Sequence, residues 1–162
     1  MQVTIRPLQE QDAYVSVNWR NDSDVFKYTG NTYSHIISLE SELEWIRRVI
    51  TITDDYRCAI IADGDYVGNI YLTGIDGRSA DFHIFIGEKS YLGKGVAKQA
   101  SKQILDYAFN HLNLIVVRLR VRVENVRAYN LYKSLGFVEV SLEGPWISME
   151  VSRPSNANVS RN

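Results

Sequence analysis

Tyr91-Leu92-Gly93-Lys94-Gly95-Val96-Ala97 is the stretch on which the reading of this chain turns. It follows an alternating segment, Ala80 to Gly87, in which Phe82, Ile84 and Ile86 share one face and His83 and Phe85 the other. It leads into a segment in which Ala97, Ala100, Ser101, Ile104, Leu105, Ala108 and Phe109 recur at helical intervals as far as His111. The seven residues are therefore expected to join a strand to a helix. A helix start leaves backbone N–H groups unpaired and carries the positive end of the helix dipole. Glycines let such a backbone approach an anion without side-chain collision, so the turn suits a diphosphate. Spacing alone fits a plain strand-to-helix turn equally well. The stretch is not a dinucleotide fingerprint, whose full glycine pattern is missing. Nor is it a P-loop, because Lys94 lies between the glycines and no Gly-Lys-Ser/Thr follows.

Outward from this turn the punctuation is regular. On the N-terminal side, Val3 and Ile5 alternate before Pro7, and Gln9 to Arg20 can form an amphipathic helix broken at Asn21-Asp22-Ser23-Asp24. Ser38 caps a second helix carrying Leu39, Leu43, Ile46, Val49 and Ile50. Arg57 to Ala62 and Tyr66 to Thr73 read as a hairpin about Asp63-Gly64-Asp65, and Asp76-Gly77 is a second turn. On the C-terminal side, Leu114 to Val123 is a strand with Arg118, Arg120 and Arg122 on one face. Asn125 to Leu135 is a helix that Gly136 terminates, and Phe137 to Leu142 and Trp146 to Val151 are closing strands. A hairpin run leading into a strand-helix-strand crossover predicts an α/β single domain, with a mixed, mostly antiparallel central sheet flanked by helices. The domain is expected to span residues 1–152, with a frayed tail over 153–162, where Pro, Ser and Asn dominate.

Bulk properties narrow the function classes. The 162 residues, 45% of them hydrophobic, suffice for one core. A formal net charge of −1 offers no global field for nucleic acid, and the arginines at 118, 120 and 122 lack interleaved aromatics. The single cysteine, Cys58, lies in Cys58-Ala59-Ile60-Ile61-Ala62 and reads as a small buried hydrophobe. Neither a metal site nor a membrane span is expected, and the cytoplasm is the expected location.

Two motifs carry a family resemblance. Leu92-Gly93-Lys94-Gly95-Val96-Ala97 resembles the pyrophosphate signature Arg/Gln-x-x-Gly-x-Gly/Ala of the GCN5-related N-acetyltransferases (GNAT). Gly95 and Ala97 match it, and Leu92 stands where Arg or Gln is usual. Asn125, Ala128, Tyr129, Tyr132, Lys133, Leu135, Gly136 and Phe137 resemble the family's later motif, in the family's order and spacing. The wording looks most like the ribosomal-protein alanine acetyltransferase-like branch with its polyamine and amino-sugar relatives.

The resemblance implies the GNAT fold and acetyl-CoA as co-substrate, with no metal and no covalent acyl-enzyme. It implies that Leu92, Gly93, Lys94, Gly95, Val96 and Ala97 hold the cofactor pyrophosphate. Backbone groups of Phe85 and Ile86 would pair with pantetheine like an added strand. Asn125 would meet the pantetheine arm or cap its helix, and the Tyr132 hydroxyl would donate to the departing thiolate. Asp81 or His83, on one sheet face, would take the proton of the amine. Arg20 would meet a carboxylate or phosphate of the acceptor, and His35 would border the acceptor pocket. Glu42 or Glu44 could attract an amine, with solvated helix charge as the plainer reading. A small primary amine is the expected acceptor, first an amino sugar or nucleotide-linked amino sugar. The absence of a strongly acidic helix pair argues against a polyamine. The alternatives are a polyamine, a protein N-terminus, or a non-catalytic acyl-CoA-binding regulator. The chain is expected to be a monomer or homodimer.

Overall fold

The computed structural model describes residues 1–25 and 36–155. These form β1 (Val3–Pro7), α1 (Ala13–Arg20), α2 (Leu39–Val49), β2 (Tyr56–Ala62), β3 (Asp65–Thr73), β4 (Ser79–Ile86), α3 (Val96–Asp106), β5 (Val116–Arg122), α4 (Val126–Ser134), β6 (Val138–Glu143) and β7 (Trp146–Ser152). The element order is the expected one. Two helices differ from expectation at one end. The predicted first helix opens as a 3-10 turn over Glu10–Asp12, where Asp12 bonds back to the Gln9 amide and pairs with Arg6. The long helix loosens into a π turn over Tyr107–His111. Gly136, at φ +99°, closes α4 as expected. The Arg153 amide still bonds the Ile115 carbonyl, and residues 156–162, most of the predicted tail, lie outside the described residues.

The strands form one sheet in the order β1-β2-β3-β4-β5-β7-β6. Every neighbouring pair is antiparallel except β4 with β5. That pair is short: Ser79, Ala80 and Asp81 match Val116, Val117 and Arg118, and beyond them the two strands part. The aromatic rings of Tyr132 and Phe137 pack tilted or edge-on against Phe82 at that point, 5.8–5.9 Å between centroids. Three bulky rings thus stand where the strands begin to separate, and a V-shaped opening passes through the sheet.

Alternation along the strands divides the core. Cys58, Ile60, Ile70, Leu72 and Phe82 face α3, whose Val96, Ala100 and Ile104 are buried against them together with Ala108 of the following π turn, and α4 joins this layer through Tyr132. Ala59 and Tyr71 face the other way, toward Ala13, Ile46 and Val49 of α1 and α2. The molecule is therefore a sheet between two helical layers, and the V joins the two sides.

Candidate functional site

The first cavity lies on the α3 side. It encloses about 700 Å³ between the Tyr91–Lys98 turn, the free edge of β4 and the start of α4. Gly93 and Gly95 sit at φ +74° and +81°, a backbone conformation that side chains resist, and an added Cβ at Gly95 would meet only open space. The cradle is thus left clear by the glycines. Gln99 makes the helical bond back to the Gly95 carbonyl, so the amides ahead of it have no intrahelical acceptor. Leu92, Gly93, Gly95, Val96 and Ala97 all line this groove. Lys94 is not among its lining residues, and its ammonium lies 6.0 Å from the Tyr91 ring centre. The cations that do line it are Lys89, Lys98 and Arg127. Lys89 is engaged with Asp22 and Asp24, which leaves Lys98 and Arg127 facing the cradle. The groove fits a bound diphosphate: exposed amides, a helix start and two cations converge on space that a Cβ would fill.

A second cavity, of about 500 Å³, lies on the opposite side under α1 and α2. Ile84, Phe85 and Asn125 line both cavities, so they meet at the V. Asn125 caps α4, its side-chain oxygen accepting from the Ala128 amide at 3.3 Å. The cap, one of its two expected roles, is thus observed, and the residue lines both cavities. Tyr132 lines the second cavity at the same point. It is 8% exposed, and desolvation pushes its pKa up to about 12. Among the described residues its hydroxyl has no hydrogen-bond partner. It is therefore a protonated donor, available at neutral pH.

The cavity floor is a row of residues matched across strands. Arg57 faces Tyr71, and Tyr71 faces His83. Arg120 of β5, opposite Ser148, occupies the corresponding place beyond the V. His83 accepts or donates a bond with the Thr73 hydroxyl at 2.9 Å. Its ring keeps accessible surface because it opens on the cavity, yet the walls crowd it. That desolvation holds its pKa below the ordinary 6.5, outweighing the opposing pull of Asp81. At neutral pH it is an unprotonated base. Asp81 lies one step along the strand in an adjoining depression, matched to Arg118, and does not line the cavity that contains Tyr132. Of the two expected proton acceptors, only His83 shares a cavity with Tyr132.

The roof comes from α1 and α2. Glu42 is 2% exposed, accepts from the Ser16 hydroxyl at 2.6 Å and pairs with Arg20 at 3.0 Å. Arg20 also lies over Trp45, 4.2 Å from the ring centre. Arg20 lines the cavity, and the carboxylate it meets in the protein is that of Glu42. Glu44 is solvated, as the plainer reading had it; Glu42 is not. Glu42 lies three residues after Leu39 and four before Ile46, inside the apolar stripe of α2, and this position is the one sequence signal of its burial. Arg57, Tyr71 and Arg127 were not singled out from the sequence as site residues, and His35 falls outside the described residues.

Comparison with known proteins agrees with this geometry. Residues 2–138 match the acetyltransferase (GNAT) domain family. The chain is 32% identical over 145 residues to the spermidine N(1)-acetyltransferase of Escherichia coli K12, covering 88% of this chain and 74% of that one. A Vibrio cholerae spermidine N(1)-acetyltransferase is 32% identical over 142 residues, 85% of this chain and 80% of that one. The crystal structure of spermidine N-acetyltransferase from Vibrio cholerae in complex with CoA and spermine superposes with a TM-score of 0.85 at 29% identity, over 97% of this chain and 99% of that one. These similar enzymes act on spermidine. The expected likeness to the ribosomal-protein alanine branch is replaced by likeness to that group.

Proposed function

This chain belongs to the GNAT family and is an acetyl-CoA-dependent N-acetyltransferase, and from that premise we propose how its residues divide the work. When bound, acetyl-CoA supplies an activated thioester carbonyl. Amides of the Gly93–Lys98 turn, with Lys98 and Arg127, hold the pyrophosphate. The side of β4 facing away from β3 at Phe85 and Ile86, past the last residues matched to β5, receives the pantetheine arm. His83 takes the proton of the acceptor's ammonium group, so that the nitrogen lone pair is free to attack. Tyr132 gives its proton, or a hydrogen bond, to the sulfur as the thioester bond breaks. Asp81 acts on His83 from outside the cavity.

The observation that carries this reading is the meeting of the two cavities at Ile84, Phe85 and Asn125, with Tyr132 on the second cavity's side. One compartment is built for phosphates and the other is lined by a neutral base and a protonated donor. The acceptor is a small primary amine. The similar enzymes favour a polyamine as the finer class, ahead of the amino sugar expected from sequence. The test is CoA release by the purified chain, with acetyl-CoA and a panel of spermidine, spermine, amino sugars and amino acids. Saturable, amine-dependent release is expected. Thermal stabilisation by acetyl-CoA with no release on any amine would instead mark a cofactor-binding regulator.

A further inference from the structure

The charges lining the second cavity do not match a polycation. Three guanidinium groups, those of Arg20, Arg57 and Arg120, stand in its wall, and among the described residues the only lining carboxylate is Glu42. Glu42 is already satisfied by Arg20 and the Ser16 hydroxyl, so it is not an open counter-charge for an ammonium. Arg57 is partnered from behind by Asp55 at 3.0 Å, outside the cavity lining. Even with Asp55 counted, three cations face two anions. Arg120 is the unbalanced one. Its neighbours on β5, Arg118 and Arg122, pair with Glu150 and Glu124, whereas Arg120 has no carboxylate among the described residues and rests on the Trp146 ring at 4.7 Å. His83 adds no negative charge.

An independent feature points the same way. Tyr71 is 7% exposed and lines the cavity; the Arg57 guanidinium approaches its buried hydroxyl oxygen, but the hydroxyl proton has no acceptor among the described residues. Burial raises its pKa, so it remains a donor. A buried polar group without a partner is costly, and a ligand acceptor atom would remove that cost. Arg57 lies over the same ring, 4.6 Å from its centre. Donors and unbalanced cations without a matching acceptor describe a place for an anion.

From this we infer that the acceptor cavity contains an anion subsite, formed by Arg57, Tyr71 and Arg120 with Arg20 behind them, and that the preferred acceptor bears a carboxylate or phosphate as well as its primary amine. The inference rests on reading this cavity as the acceptor's. It separates this chain from its spermidine-acetylating relatives at the level of specificity, not of chemistry.

Two measurements test it. In the first, thermal shifts are recorded with inorganic phosphate and with acetate at saturating CoA, which keeps the pyrophosphate cradle filled. The wild type should be stabilised by at least one of the two anions, and Arg120→Met and Tyr71→Phe should lose most of that shift. Tyr71→Phe deletes one oxygen, so it serves if Arg120→Met does not fold. In the second, kcat/KM is compared within matched pairs, glucosamine 6-phosphate with glucosamine and β-alanine with propylamine, alongside spermidine. A tenfold or greater preference for the anionic member of one pair, shrinking toward parity in Arg120→Met, is expected; the pair that shows it identifies phosphate or carboxylate. Anion binding that both variants retain, its absence in the wild type, or a tenfold preference for spermidine over every anionic amine would overturn the subsite. Anion binding lost in the variants, with no turnover of any amine, would support the subsite while removing the acetyl-transfer reading of the cavity.

Discussion

The groove at the head of α3 takes the largest share of its lining from one continuous stretch, Tyr91 to Lys98, whose contribution is mainly backbone amides. The cavity across the sheet takes its lining from α1, α2, β2, β3, β4, β5 and α4, and works through side chains. One region is local in sequence and indifferent to most side-chain identities. The other is assembled from residues 16 to 146 and depends on each of them. In the proposed division, the region that tolerates change would hold the diphosphate, and the region where a few substitutions rewrite the charge would choose the acceptor. Tyr132 lies beside their junction, in the wall of the second cavity.

This division can be broken at its junction first. Tyr132→Phe keeps the packing against Phe82 and Phe137 but removes the donor, and should lower kcat by about 10³-fold, with the KM for acetyl-CoA within about twofold by the same reasoning. Steady-state kinetics in both substrates decide it; an unchanged kcat would take Tyr132 out of the reaction and leave it as a packing residue.

Within the cavity, Glu42→Gln leaves Arg20 without its buried counter-charge, and should cost about 3 kcal/mol of stability. Denaturant melts measure this. Acetyl-CoA affinity should not follow, because the groove lies on the other side of the sheet. Within the groove, Gly95→Asp places a carboxylate where the diphosphate lies. It should raise the KM for acetyl-CoA by about 30-fold, roughly 2 kcal/mol, while acceptor KM stays nearly constant. If both Michaelis constants moved together in either variant, the two regions would be one cooperative unit.

Smaller effects sharpen the picture. His83 must be unprotonated to accept a proton, and its pKa lies below 6.5. The acid limb of kcat/KM should therefore fall below that value, with activity lost as pH drops through it. His83→Gln should flatten that limb and reduce the plateau by about 30-fold. Tyr132, pushed up to about 12, contributes no alkaline loss near neutrality. Asp81→Asn, outside the cavity, should change the rate by only about twofold and move the acid limb slightly lower, since Asp81 raises the His83 pKa.

Legibility in the sequence followed the same division. Period-two and helical patterns placed every strand and helix to within a few residues, because burial on one face imposes them directly. The glycine turn and the Asn125–Phe137 segment disclosed the groove and the catalytic tyrosine candidate, since both lie within short runs. The exceptions are instructive. Glu42 interrupts an apolar stripe, which reads as a surface charge until Ser16 and Arg20 arrive from another helix to satisfy it. Arg118, Arg120 and Arg122 look equivalent along β5, and only the carboxylates of β7 and of the following turn distinguish Arg120 as unbalanced. Lys94, inside the motif, is not among the residues lining the groove, whereas Arg127, 33 positions later, lines it.

The chain's own order of residues determined the elements, their succession, the diphosphate turn and the class of reaction, because each depends on neighbours a few positions apart. Tertiary structure alone decided that β4 and β5 part after Asp81, that His83 and Tyr132 share a cavity, and that its walls carry surplus positive charge. Those properties are sums over side chains distant in sequence. Electrostatic balance and desolvation act through space, so no local stretch encodes them.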